Sequence, residues 1–140
     1  MTTEQFIREV EHTGDAAIEV EAPSRRDLFA CAAIGLARIM VSPDGIASRE
    51  ARTIEVYGDC DDDLMYDALT DALDLFISDG FIWREATVEE LGDGIALKLT
   101  GEDFDSRRHQ VFTEIKAVTY HQMGVERDND GWKARIVFEV

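Results

Sequence analysis

Two segments with the period of an amphipathic helix place the strongest limit on the fold of this chain of 140 residues. The first begins after Ser24, and its apolar residues recur every three or four positions as far as Met40. Ser24 and Asp27 have the spacing of an N-terminal cap. The second runs from about Asp62 to Ser78 with aspartates opposite its apolar stripe, and Asp61 or a neighbour is its expected cap.

Short alternating segments fill most of the remaining chain and predict about seven strands. They run from Phe6 to Glu11, Ala16 to Ala22, Arg52 to Tyr57, Phe81 to Leu91, Ile95 to Thr100, Glu114 to His121 and Trp132 to Val140. The order ββαβαββββ predicts one α+β domain, residues 1–140, as a two-layer sandwich. Both helices are expected to pack on one largely antiparallel or mixed sheet.

The charge of the chain argues against direct binding to nucleic acid. Thirty acidic residues against fourteen basic ones give a net charge of −16. The densest basic cluster is the pair Arg107 and Arg108, which is too short to follow a phosphate backbone. Such acidity is typical of adaptation to a salty cytoplasm, or of a protein that meets a basic partner. The aspartates of the second helix form a solvated face or, less commonly, a recruiting surface.

Other motifs set further limits. The sequence has no leader of basic and then apolar residues and no apolar run of the roughly 20 residues that span a bilayer. We therefore expect a cytoplasmic protein that does not bind membranes. It also lacks a G-x-S-x-G elbow, a G-x-G-x-x-G motif and a P-loop. The three histidines, His12, His109 and His121, lack zinc spacing and are more typical of partners for buried carboxylates.

Polar residues gather around the predicted strand from Glu114 to His121. Alternation places Glu114 and Lys116 on one face, either as a solvated ion pair or as functional groups. The segment from Gly101 to Gln110 has no period and is expected to be a loop beside this strand. Asp128 to Gly131 is expected to turn the chain into the last strand.

These motifs resemble those of the archease family. The similar motifs are Glu114 to His121, Gly101-Glu102, Asp105, Arg107-Arg108-His109 and His12-Thr13-Gly14-Asp15, which follow in the same order as in that family. The resemblance covers nearly the whole chain and implies an α+β sandwich. It also implies an accessory protein, not an enzyme, that activates the RtcB-type RNA ligase of tRNA splicing by promoting its guanylylation and turnover and broadening its nucleotide use.

The resemblance further implies a metal site formed by Asp15, Glu139 and the terminal carboxylate of Val140. Glu139 departs from the family, which usually has aspartate there, so the identity of the metal stays open. Glu139 beside a terminal carboxylate concentrates two anions, and hard oxygen ligands suit Ca²⁺ foremost, or Mg²⁺.

Further polar residues are expected to contact the ligase or to orient the metal ligands. They are His12, Glu102, Arg107, His109, Glu114, Lys116 and His121. Two alternatives stay open. One is a metal-dependent hydrolase of a small phosphorylated substrate, in which Lys116 and Arg107 hold the phosphate. The other is a modulator of tRNA methyltransferase specificity, an activity also attributed to archeases.

Overall fold

The computed structural model describes residues 7–12 and 15–140, and the predicted order of helices and strands is confirmed within them. The elements are β1 Ile7–His12, β2 Asp15–Ala22, α1 Arg25–Met40, β3 Glu50–Tyr57, α2 Asp61–Asp79, β4 Phe81–Glu90, β5 Gly94–Asp103, β6 Ala117–Asp128 and β7 Gly131–Glu139. A short 3₁₀ helix, Pro43–Gly45, follows α1. The predicted turn at Thr13 and Gly14 lies outside the described residues, as does Phe6.

The strands form two antiparallel sheets, and the expectation of one sheet is therefore wrong. One sheet has the order β1-β2-β7-β6 and the other the order β3-β5-β4. Helix α1 packs against β2 and β4, and α2 packs against β6 and β3, so each helix contacts both sheets. This placement explains why α1 is buried from Leu28 to Ala37 without interruption. Among the described residues, no helix combines the length and apolar character that a membrane crossing requires.

The two helices begin in different ways. The hydroxyl of Ser24 accepts a hydrogen bond from the Asp27 N–H (3.2 Å), which confirms the predicted cap of α1. Helix α2 has Cys60 at the cap position without a side-chain hydrogen bond. Its first turn holds three aspartates, which the positive end of the helix dipole favours. Their carboxylates bond to other elements: Asp61 to Arg25, Asp62 to the Val125 N–H and Asp63 to the Tyr120 hydroxyl.

Strand β6 starts later and is less regular than the alternating pattern predicts. Glu114 and Lys116 precede it, because the strand begins at Ala117. Thr119 pairs with Val137 and Gly124 with Arg135, so residues 120–123 form a bulge opposite Ile136. Gln122 in this bulge has a φ of 54°, a left-handed conformation that is uncommon for residues other than glycine. Regular pairing before the bulge covers only Ala117 to Thr119, so the alternation predicted from Glu114 does not hold along this segment.

Strand β5 depends on a glycine where it passes β4. Gly101 lies opposite Trp83, beside a bulge in β4, and a Cβ added there would lie 2.0 Å from the Ile82 carbonyl oxygen. We expect Gly101→Ala to lower the free energy of unfolding by about 1 to 3 kcal/mol, because the strands must separate to admit the methyl group. Urea titration measures this change. Gly92→Ala is the control, since its added Cβ meets nothing within 4 Å, and equal losses in the two variants would contradict the prediction.

Candidate functional site

The two strands that carry the candidate metal site, β2 and β7, lie next to each other. Asp15 at the start of β2 pairs in register with Glu139 at the end of β7. On the other side of β7, Ala117 pairs with Glu139, and the Lys116 N–H donates to the Glu139 carbonyl oxygen (2.8 Å). The backbone of Glu139 is therefore fixed from both neighbouring strands.

This register brings two carboxylates to one face of the sheet. Side chains at paired positions of antiparallel strands leave the same face, and like charges placed directly opposite each other destabilise the sheet. Asp15 is half-buried, whereas Glu139 and Val140 are exposed. Among the side chains that the structure describes, no group of three from His, Cys, Asp or Glu could hold a metal. The carboxylates of Asp15 and Glu139 have the hard oxygen atoms that suit a divalent cation.

The backbone of His12 lies next to this pair, because His12 is the register partner of Asp15 in β1. The side chain of His12 lies outside the described part of the chain.

A second polar cluster surrounds Glu102, whose exposed fraction is 3%. Its carboxylate accepts hydrogen bonds from the Ala47 N–H (2.6 Å) and from Arg108 (2.6 and 3.2 Å). The Nε of Arg49 and the Nε2 of His109 approach it at 3.2 and 3.0 Å. Glu102 therefore joins the segment after the 3₁₀ helix to the segment after β5.

The ring of His109 links Glu102 to the chain that follows β5. The Asp105 N–H donates to Nδ1 of His109 (2.8 Å), so this nitrogen is unprotonated and Nε2 carries the hydrogen bonded to Glu102. Neither ring nitrogen is left to bind a metal. His109 is thus the partner of a buried carboxylate, as predicted for this type of histidine.

Hydrogen bonding keeps the two acids of this cluster ionised. Hydrogen bonds from Arg108 and from the Ala47 N–H hold the pKa of Glu102 well below its usual range. The pKa of Asp105 is also lowered, chiefly because its carboxylate accepts the Arg107 N–H. These bonds fold residues 105–109 into a tight turn.

The cluster corrects one detail of the sequence interpretation. Residues 101–103 belong to β5, so the loop predicted from Gly101 to Gln110 begins only at Phe104. Arg108 binds Glu102, whereas Arg107, the candidate residue, is exposed and contacts Asp105. No sequence signal identified Arg108 over its neighbour, because the choice depends on the turn that Asp105 and His109 form.

The remaining candidate residues lie on or beside β6. Glu114 and Lys116 are exposed and border an apolar groove next to α2. Within the described residues, the two form no ion pair with each other, although alternation placed them on one face. His121 is exposed in the bulge, and its N–H donates to the Thr119 hydroxyl (3.1 Å).

Tyr120 also belongs to the bulge and was not among the candidates. Its ring stacks on Tyr66 of α2 with centroids 4.0 Å apart, and its hydroxyl donates to Asp63 (3.0 Å). Burial and the bond to Asp63 raise the pKa of Tyr120 to about 12. The bulge determines this contact, and no residue pattern of the strand indicates the bulge.

Comparison with known sequences gives relatives along almost the whole chain. The sequence model of the Archease protein family (MTH1598/TM1083) matches residues 8–140. The chain is 32% identical to a protein archease of Pyrococcus abyssi, over 93% of this chain and 95% of that protein. It is 35% identical to a protein archease of Methanopyrus kandleri, over 94% of this chain and 97% of that protein. The match includes Asp15, Glu139 and the cluster around Glu102.

Solved structures share the fold. The solution structure of protein 1598 of Methanobacterium thermoautotrophicum matches with a TM-score of 0.79 and 25% identity, over 97% of this chain and 99% of that chain. A crystal structure from Thermotoga maritima, described as an archease and possible chaperone, matches with a TM-score of 0.67 and 29% identity. That match covers 95% of this chain and 96% of the other. The α+β fold with two helices is therefore shared with both.

Proposed function

Because this chain belongs to the archease family, we propose that it activates an RtcB-type RNA ligase during tRNA splicing in the cytoplasm. It acts as an accessory protein that promotes guanylylation of the ligase and restores its turnover, and it broadens the nucleotides that the ligase accepts. The chain itself joins no RNA. The guanosine nucleotide and the catalytic metals belong to the ligase.

The observation that carries the proposal is the register of β2 with β7, which pairs Asp15 with Glu139. The pairing brings two carboxylates to one face of the sheet, and their oxygens are ligands of the kind that hard divalent cations prefer. We propose that Asp15, Glu139 and the carboxylate of Val140 hold a divalent cation, Ca²⁺ foremost or Mg²⁺. The longer side chain of Glu139 suits Ca²⁺, which accepts variable geometry, better than the strictly octahedral Mg²⁺. When bound, the cation offsets most of the negative charge of this cluster.

The exposure of the other candidate residues separates those that could contact the ligase from those that position other residues. Glu114, Lys116 and His121 are exposed, and in the proposal they contact the ligase. Arg107 is exposed as well and belongs to the same group. His12, whose backbone pairs with that of Asp15, belongs to the proposal as a residue that contacts the ligase or orients the metal ligands.

The buried residues of the second cluster have a positioning role in the proposal. Glu102 and His109 are too buried to contact a partner directly. They fix the turn of residues 105–109 and, through it, the segment that leads to Lys116. Their effect on the ligase is therefore indirect.

The alternative of a phosphate-binding hydrolase has less support. It needs Lys116 and Arg107 at one site, but Lys116 borders the apolar groove next to α2 and Arg107 does not. The exposed guanidinium of Arg107 approaches Asp105 at 3.5 Å, which partly neutralises it. No observation specifically favours the alternative of a methyltransferase modulator.

A reconstituted ligase assay tests the proposal. The chain is mixed with its cognate ligase, GTP and Mn²⁺, and the ligase-GMP adduct and the number of turnovers are measured. We expect more adduct and multiple turnover with the chain than without it. Unchanged ligation, or hydrolysis of phosphorylated substrates by the chain alone, would contradict the proposed function.

Adding a few residues after Val140 tests the third ligand. The added peptide bond converts the carboxylate of Val140 into a neutral amide, so we expect Ca²⁺ affinity to fall by roughly tenfold and ligase activation to fall with it. Isothermal titration calorimetry and the adduct assay measure the two effects. The same tag placed before Met1 is the control, and equal affinities for both tagged forms would leave Asp15 and Glu139 as the ligands.

A further inference from the structure

An apolar groove of about 480 Å³ lies between the end of α2 and the irregular segment before β6. Its apolar walls come from Phe76, Ile77, Phe104, Val111 and Ile115. Ile77 is 55% exposed and Val111 is 49% exposed, although both are large aliphatic side chains that line the same groove. Ile115, by contrast, is 3% exposed and forms the buried floor. The groove therefore offers contiguous apolar surface of the kind that marks protein interaction sites.

Exposed aspartates of α2 lie along the helix that forms one side of this groove. Asp74 precedes Ile77 by one helical turn, and Asp71 and Asp67 continue the same exposed stripe along α2. Within the described part of the chain, these three aspartates form no ion pair with a basic side chain. Burial, together with the charges of Asp67 and Asp74, raises the pKa of Asp71, as expected where like charges lack a counter-charge.

The charged side chains that line the groove include one negative and one positive group. Glu114 adds a further carboxylate on the side opposite α2, and Lys116 contributes one positive charge at that end. The exposed aspartates of α2 add negative charge along the helix beside the groove, with Asp74 one turn from Ile77. A net charge of −16 on the whole chain strengthens this field.

We infer that this groove binds a basic amphipathic segment of a protein partner, whose apolar side chains fill the groove and whose Lys or Arg side chains pair with the aspartates of α2. The inference rests on the proposed accessory function only in requiring a protein partner. Apolar burial provides the affinity, and the charges select a basic segment and speed its association. A second copy of the chain is a poor occupant, because it carries the same negative charge.

A fluorescent helical peptide of leucine and lysine is the probe, and fluorescence anisotropy measures its affinity for the full chain. We expect Ile77→Ser combined with Val111→Ser to weaken binding by roughly tenfold, since the two exposed side chains line the groove. Asp71→Asn combined with Asp74→Asn should weaken it by a similar factor and also reduce its dependence on salt. All four side chains are exposed, so the fold should tolerate both double variants.

Matched controls separate the groove from general attraction between opposite charges. Tyr57→Ser removes an exposed apolar side chain on β3, and Asp59→Asn combined with Asp93→Asn removes two carboxylates at the other end of α2. Both should bind the peptide like the unchanged chain. If they lose as much affinity as the groove variants, or if a peptide with glutamate in place of lysine binds equally well, the inference is wrong.

Two further measurements distinguish the remaining outcomes. Sedimentation of the chain alone gives its oligomeric state, and a dimer that Ile77→Ser disrupts would assign the groove to a second copy and overturn the inference. The ligase assay, run in parallel, tests the proposed function separately. Peptide binding that depends on the groove, together with failure to activate the ligase, would remove the proposed function and support the groove.

Discussion

Replacement of Glu102 by glutamine is expected to lower the unfolding temperature by roughly 5 to 10 °C, more than any other polar substitution considered for this chain. The amide loses the charge that strengthens the bonds from Arg108 and His109. Its NH₂ group also meets donors on every side, because the Ala47 N–H already points at the carboxylate. Differential scanning calorimetry measures the effect.

The same substitution should change how stability depends on pH. Hydrogen bonds lower the pKa of Glu102 in the folded protein below the value of about 4.3 that is usual for glutamate in an unfolded chain. Its stabilising contribution is therefore complete above the unfolded pKa and is lost as the pH falls toward the folded pKa. Below about pH 4, the unchanged protein should lose stability more steeply than Glu102→Gln.

Glu89→Gln provides the control for both measurements, because Glu89 is exposed on β4. It should leave the unfolding temperature within about 2 °C of the original. If Glu102→Gln has as small an effect, or if the two acid profiles are parallel, Glu102 does not anchor the segments it joins.

Asp15→Asn should have the largest effect on function. It removes one of two opposed carboxylates while keeping the shape of the side chain, so Ca²⁺ affinity should fall by at least roughly tenfold and activation of the ligase should be lost. The effect on stability should depend on the metal, because only the original protein should gain the full stabilisation that bound Ca²⁺ supplies.

Thermal unfolding with and without Ca²⁺ measures the second effect. At the same Ca²⁺ concentration, the unfolding temperature should rise more for the unchanged protein than for Asp15→Asn. Asp44→Asn, an exposed carboxylate in the 3₁₀ helix, is the control and should respond to Ca²⁺ like the original. A variant at position 15 that binds Ca²⁺ normally and activates the ligase would remove Asp15 from the proposed site.

Local sequence patterns predicted the elements well, because their cause is local. The cap at Ser24 and the apolar period of α1 depend on residues three or four positions apart, and both are confirmed. The division into two sheets depends on which distant strands pair, such as β2 with β7 across more than a hundred residues. Alternation carries no information about this choice, so the expectation of one sheet failed.

The two polar clusters also differ in how much of each could be predicted from the sequence. Resemblance of motifs identified Asp15 and Glu139, and the register later placed them opposite each other. The cluster around Glu102 was only half found, since the Ala47 N–H is a main-chain donor that no residue type reveals. The candidate residues included Arg107 and not Arg108, because the directions of adjacent arginine side chains depend on the turn that holds them.

The bulge of β6 affects how readily the protein aggregates at high concentration. This strand lies at the edge of its sheet, where exposed N–H groups could recruit a strand from another molecule and begin aggregation. The carboxylate of Asp62 accepts a hydrogen bond from the Val125 N–H (2.9 Å). Gln122, in its left-handed conformation, bends β6 away from the straight path along which a strand of another molecule would pair. Helix α2 thus protects the middle of this edge from strand addition by other molecules.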